Sequence, residues 1–149
     1  MFIALGSNLG DRRGNIGKAI EELRDSRMVE VIKVSKLYET DPVGGPPQDK
    51  FLDGAAEIQT HLTPHELLAL LKLTEKKVGR TPSRVKWGPR EIDLDILLYG
   101  DIVMNEPDLV IPHPQLHLRR FMLEPLAEIA PDVASKFSES EHENNPLDK

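Results

Sequence analysis

The sequence contains no cysteine, and that one absence excludes a disulfide framework, a thiolate metal site and a thiol nucleophile. Structural zinc is therefore not expected. There is no long hydrophobic run: the N-terminal MFIALGSNLGDRR is too short in apolar residues for a signal h-region or a membrane span and lacks a preceding basic segment. A soluble, cytoplasmic protein without a membrane partner is the expectation. A surplus of cations is missing too. The net charge of −6 argues against a general nucleic-acid binder, which needs cations to replace the counterions it displaces from phosphates. Finally, Gly6-Ser7-Asn8-Leu9-Gly10-Asp11-Arg12 has glycines but not the G-x-x-x-x-G-K-[ST] spacing, so it reads as a turn and helix start and not as a Walker loop.

What is present fits one domain: 149 residues hide roughly two thirds of the unfolded chain's surface on folding. The run 2–5, FIAL, reads as a buried strand. Ile16, Ala19, Ile20 and Leu23 recur at helical spacing with charged residues between them. Residues 29–38, VEVIKVSKLY, are β-branched, aromatic and largely alternating, which predicts one strand. The stretch 40–49 is dense in proline and glycine and predicts a long irregular connection. Residues 51–59 predict a strand. Thr63-Pro64-His65-Glu66 is a capping box with proline at the first helical position, opening a helix to about Val78 that Gly79 closes. Its apolar face is Leu67, Leu70, Leu71, Thr74 and Val78. The last strand is IDLDILLYG. The order β-α-β-β-α-β predicts an α+β, ferredoxin-like fold, an antiparallel sheet with both helices on one face. C-terminal additions near 109–112 and 122–129 decorate it. The expected organisation is a single domain over residues 1–137, followed by a disordered tail at 138–149, SESEHENNPLDK, which holds little apolar material.

Chemistry concentrates in the last strand. Side chains alternate along Ile92–Tyr99, so Asp93 and Asp95 share one face with Cβ atoms about 6.5–7 Å apart. Aspartate is disfavoured in strands and expensive to bury unpaired, so this pair calls for a cation, and hard oxygen ligands favour magnesium. Taken alone, the pattern fits equally well a half-exposed strand whose aspartates pair with Arg90. The context favours the metal: Lys76, Lys77, Arg80, Arg84, Lys86 and Arg90 precede it with no acid among them, and metal plus arginine clamps transferring phosphates. His113, between two prolines, is either a phosphate donor or an ordinary turn histidine. Trp87 alone reads as a packing anchor.

WGPREIDLDILLYG, together with GSNLGDR, YETDPVG and IPHPQLHLRRFMLEPL, resembles the 6-hydroxymethyl-7,8-dihydropterin pyrophosphokinases of folate biosynthesis. The resemblance covers residues 1 to about 132. It implies diphosphate transfer from ATP to the pterin hydroxymethyl oxygen, leaving AMP, with Asp93 and Asp95 binding two magnesium ions and Asp95 a candidate acceptor for the hydroxyl proton. Arg80 and Arg90 match arginines that meet the phosphate charge as a loop closes. Glu75, Lys86, Trp87, Ile96, His113 and Arg119 match ATP contacts, Lys86 standing where better-known members carry arginine. Phe51 and Phe121 match aromatics that sandwich the pterin, and Thr40, Pro42 and Val43 match positions reading its edge. Asp53 departs from the family's usual asparagine: a carboxylate only accepts. The implied partners are small molecules, ATP and the pterin, acting on a monomer. Two other readings remain at this point, a magnesium-dependent phosphodiesterase or nuclease using the same aspartates, and a non-catalytic ferredoxin-like ligand-binding module.

Overall fold

The computed structural model describes residues 1–42, 45–81, 88–116 and 119–144, without the side chains of residue 120 and residues 138–144. Strand β1 (Phe2–Ser7) leads through a turn into helix α1 (Arg12–Asp25), whose first turn is held by Asp11 accepting the Gly14 N–H at 3.0 Å. Strands β2 (Val29–Val34), β3 (Tyr38–Thr40) and β4 (Phe51–Thr60) follow. Helix α2 (Pro64–Val78) has both bonds of the predicted capping box and a left-handed Gly79, φ 119°, at its end. Strand β5 (Asp93–Leu98) then returns to the sheet; the hairpin β6 (Met104–Glu106) and β7 (Leu109–Ile111) and helices α3 (Arg120–Ile129) and α4 (Pro131–Asn144) complete the chain.

The main sheet runs β2-β4-β1-β5, each neighbour antiparallel, with β3 beside the first residues of β4. Alternation decides what each face does. Ile3, Leu5, Leu52, Ile58, Leu94 and Ile96 join Ile16, Leu23, Leu67 and Leu71 of the first two helices in one core. Every one of these is at most 8 % exposed, and each such burial is worth about 1.5–3 kcal/mol. That sum fixes the register of β5: a slip by one residue would turn Asp93 and Asp95 into the aliphatic core.

One expectation is corrected. The strand predicted over 29–38 is two, β2 ending at Val34 and β3 starting at Tyr38, because the Ser35 hydroxyl, not a backbone carbonyl, takes the Ala55 N–H at 2.9 Å. Helices α1 and α2 share one face of the sheet, as expected, and the C-terminal addition covers the other: α3 and α4 build a second core with Ala55, Leu97, Leu116 and Phe2 on the face opposite α1 and α2. Of the residues expected to form the tail, 138–144 lie on α4 and 145–149 lie outside the described residues. Among the described residues no helix is long and apolar enough to cross a membrane.

Candidate active site

The second face of the sheet is where polar side chains collect. Gly6 of β1 is paired with Asp53 of β4 on one flank and with Asp93 of β5 on the other, and Ala4 is paired with Ala55 and Asp95. Two strand spacings therefore separate the Asp53 backbone from that of Asp93, about 10 Å. Small residues on the strand between leave the space open. A Cβ added to Gly6 would lie 2.9 Å from Asp53 Oδ1 and 3.6 Å from Phe51 Cδ1, so Asp53 leans across β1 because residue 6 has no side chain.

Over this floor lies a cavity of about 280 Å³. On the β4 side it is lined by Thr40, Phe51 and Asp53, and from α3 by Phe121 and Met122; on the β5 side by Arg90, Asp93, Asp95 and His113. Eight of the sixteen site residues singled out from the sequence thus converge, although they lie up to 81 positions apart, from Thr40 to Phe121.

The carboxylates are not equivalent. Asp93 has both oxygens engaged, Oδ2 by Arg90 Nη1 at 3.2 Å and Oδ1 by Arg80 Nη1 at 3.4 Å. The guanidinium partner that the bland reading required is therefore real for Asp93. Asp95 has no hydrogen-bond or ion-pair partner among the described residues. Burial and then Asp93's charge push its carboxyl up to about 7, with Glu75 adding to the rise and Lys72 and Arg90 opposing it. Asp53, 8 % exposed, is pushed up to about 6 by burial, against the lowering effect of the bond it accepts from the Thr40 hydroxyl. The cleft thus holds more buried anion than its arginines neutralise, and Asp95 is the uncompensated member. A hard divalent cation held by Asp93 and Asp95 would supply the missing charge, so the donor set fits magnesium.

His113 is oriented by the backbone. Its N–H donates to Leu97 O at 2.9 Å, which lays residue 113 along β5, and its Nδ1 accepts the Gln115 N–H at 3.1 Å. The neutral ring must then carry its proton on Nε2, and burial pulls its pKa below the usual value, with Asp93 opposing.

Some expected site residues stand elsewhere. Ile96 is 3 % exposed in the core on the opposite face of the sheet, because it falls one position out of phase with Asp95. Glu75 is buried beneath β5 and lies outside the cavity lining. Arg80 and Arg119 stand behind that lining, Arg119 donating from Nε to Gln115 Oε1 at 3.4 Å. Pro42 is half-buried at the start of its loop. Val43, Lys86 and Trp87 lie outside the described residues.

Asn8 was missed. Buried at 2 % exposure, its amide donates to Gln48 Oε1 at 2.7 Å and Asp49 O at 3.0 Å while its Oδ1 accepts the Arg90 N–H at 2.8 Å. It ties the connection before β4 to the residue that holds Asp93. No local signal marks this, since an asparagine after Gly-Ser reads as turn chemistry wherever it occurs.

Comparison with known proteins gives a consistent result. Residues 2–131 match the family model described as 7,8-dihydro-6-hydroxymethylpterin-pyrophosphokinase. The chain is 46 % identical over 140 residues to the 2-amino-4-hydroxy-6-hydroxymethyldihydropteridine pyrophosphokinase of Bacillus subtilis, covering 94 % of this chain and 83 % of the relative. It is 47 % identical over 133 residues to that of Aquifex aeolicus, covering 89 % and 81 %. Similarity extends to the folate synthesis bifunctional protein of Arabidopsis thaliana, 43 % over 129 residues, 87 % of this chain and 26 % of the longer relative.

Proposed function

Since the chain belongs to the 7,8-dihydro-6-hydroxymethylpterin-pyrophosphokinase family, we propose that the acidic cleft is the site at which ATP gives up a diphosphate group to a pterin alcohol. The protein is an ATP-dependent diphosphotransferase of folate biosynthesis, which converts ATP and 6-hydroxymethyl-7,8-dihydropterin to AMP and the pterin diphosphate. Neither the phosphodiesterase nor the non-catalytic reading has a counterpart among the relatives named above. The strand order β2-β4-β1-β5 supports a ferredoxin-like reading of the fold. We take the functional unit to be a cytoplasmic monomer with one domain over residues 1–137.

One observation carries the assignment of roles: a single cavity holds an aromatic end and an acidic end. A flat heterocycle fits between Phe51 and Phe121, where stacking supplies affinity without demanding a charge. Thr40 and Asp53 meet its polar edge, Asp53 accepting from N–H donors, and Pro42 and Val43 extend that edge. The hydroxymethyl group then points across Gly6 toward β5. Asp93 and Asp95 would hold magnesium, two ions in our reading, and the metal when bound neutralises triphosphate charge and keeps the β-phosphorus in line with the attacking oxygen. Asp95 also offers an acceptor for the hydroxyl proton. Arg90 and Arg80 meet the charge that develops on the phosphates, His113 donates its Nε2 proton to a phosphate oxygen, and Arg119, Lys86 and Trp87 add to the nucleotide side.

Product identity tests this reading. Incubated with magnesium, ATP and the pterin, the protein should release AMP in a one-to-one ratio with pterin diphosphate. Asp95→Asn should slow that release by about 100-fold or more at unchanged folded content, in line with loss of a metal-holding carboxylate. ADP or free pyrophosphate as the product would refute the assignment.

A further inference from the structure

The resemblance implies a nucleotide contact for Glu75, but its carboxylate is engaged on the protein side. It stands on α2 with a side chain 4 % exposed. Oε2 accepts the Leu94 N–H at 2.8 Å and pairs with Arg80 Nη1 at 2.8 Å, and Oε1 lies 3.7 Å from Lys72 Nζ. Leu94 sits between Asp93 and Asp95 on the outer strand of the sheet. Its N–H has no strand to pair with on that side, and a buried unpaired N–H is costly. One carboxylate therefore fixes the backbone between the two metal-holding aspartates and also anchors the arginine closest to it.

The second bond has the sharper consequence. Arg80 Nη1 is 2.8 Å from Glu75 and 3.4 Å from Asp93, and these are its only anionic partners among the described residues. Were Glu75 uncharged, the guanidinium would turn fully onto Asp93 and compete there with a metal ion. With Glu75 charged, one terminal nitrogen is held from below while the remaining donors of the planar fork stay available to phosphate.

Resting on the transferase reading above, we propose that Glu75 is a positioning residue, not a nucleotide contact: it shares Arg80 with Asp93, so that the guanidinium does not close fully on that carboxylate, and it locks the Asp93-Leu94-Asp95 backbone, holding both carboxylates in place to take magnesium. It acts through Arg80, and its effect depends on that arginine.

Glu75→Gln separates the possibilities, because the amide oxygen can still accept the Leu94 N–H while the charge that holds Arg80 is gone. AMP release is measured against magnesium and ATP concentration, and magnesium binding in the presence of a nonhydrolysable ATP analogue is measured by calorimetry, in four proteins: wild type, Glu75→Gln, Arg80→Ala and the double variant. The calorimetric affinity for magnesium should fall several-fold on Glu75→Gln only where Arg80 is present. We expect Glu75→Gln to lower kcat by about 10-fold or more and to raise the half-saturating magnesium concentration several-fold, with KM for ATP within about threefold. In the Arg80→Ala background the same change should alter kcat and the magnesium requirement by less than about threefold. The proposal is overturned if Glu75→Gln lowers kcat by the same factor with and without Arg80, or if it acts through KM for ATP alone. Should Glu75→Gln not fold, Glu75→Asp, which keeps the charge but withdraws it by one methylene, carries the same comparison. Loss of AMP formation in the wild type would instead count against the transferase reading.

Discussion

The buried carboxyl of Asp53 sets how this protein responds to pH. Asp53 keeps a proton up to about pH 6 in the folded state, because burial disfavours its charge, whereas the unfolded chain releases it near 3.8. The folded state therefore binds more protons between those values, and stability falls as pH rises through that window, to a deficit of about 2–3 kcal/mol that is constant above it. Asp53→Asn retains an acceptor for the Thr40 hydroxyl and carries no charge. Denaturant titrations of the ligand-free proteins should find the variant more stable than wild type by up to that amount at pH 7.5, with the difference vanishing near pH 4. Equal stabilities at both pH values would mean that Asp53 is not desolvated in solution. At this scale the sequence is uneven in what it discloses. Asp93 and Asp95 stand out because aspartate is out of character between aliphatic strand residues. Gly6 and Asn8 do not, since their importance comes from neighbours 47 and 82 positions away, Asp53 and Arg90.

Helix α2 is the element that hydrophobic period and capping chemistry describe almost completely, from Thr63 to Gly79. It carries Glu75 near one end and the capping box at the other, which allows stability to be varied without touching the site. Thr63→Ala removes the hydroxyl that accepts the Glu66 N–H at 3.2 Å and should cost about 1 kcal/mol. For a chain of this length that lowers Tm by roughly 2–4 °C, while AMP release at 25 °C stays within error of wild type. A Tm drop accompanied by a proportionate loss of kcat would show that fraying at the N-terminal turn reaches Glu75. The break at Ser35 was not legible in the same way. VEVIKVSKLY alternates well enough for a continuous strand, and only the hydroxyl's capture of a backbone N–H on β4 interrupts it. The covering of both sheet faces was equally hidden, because the period of α3 shows that it buries a face without showing which surface receives it.

Across the molecule, the roof and floor of the cleft are tied at one point. Glu128 of α3 accepts the Lys36 N–H at 3.0 and 3.2 Å and the Tyr38 hydroxyl, while Tyr38 is paired with Asp53 in the sheet. The helix bearing Phe121 is thereby fastened to the strand beside the acidic floor. Glu128→Ala should loosen this fastening, raise KM for the pterin several-fold and lower Tm, and leave kcat at saturation close to wild type. A change in KM for ATP of the same size would point to a general loosening. The outer flank of β5 carries a further implication for the whole chain. Its Leu94 N–H is satisfied by Glu75 and its Leu97 carbonyl by the backbone of His113, so the strand that bears Asp93 and Asp95 offers a foreign β-segment few main-chain groups to zip onto. The arrangement that fixes the backbone between the two aspartates also guards this margin against edge-to-edge aggregation.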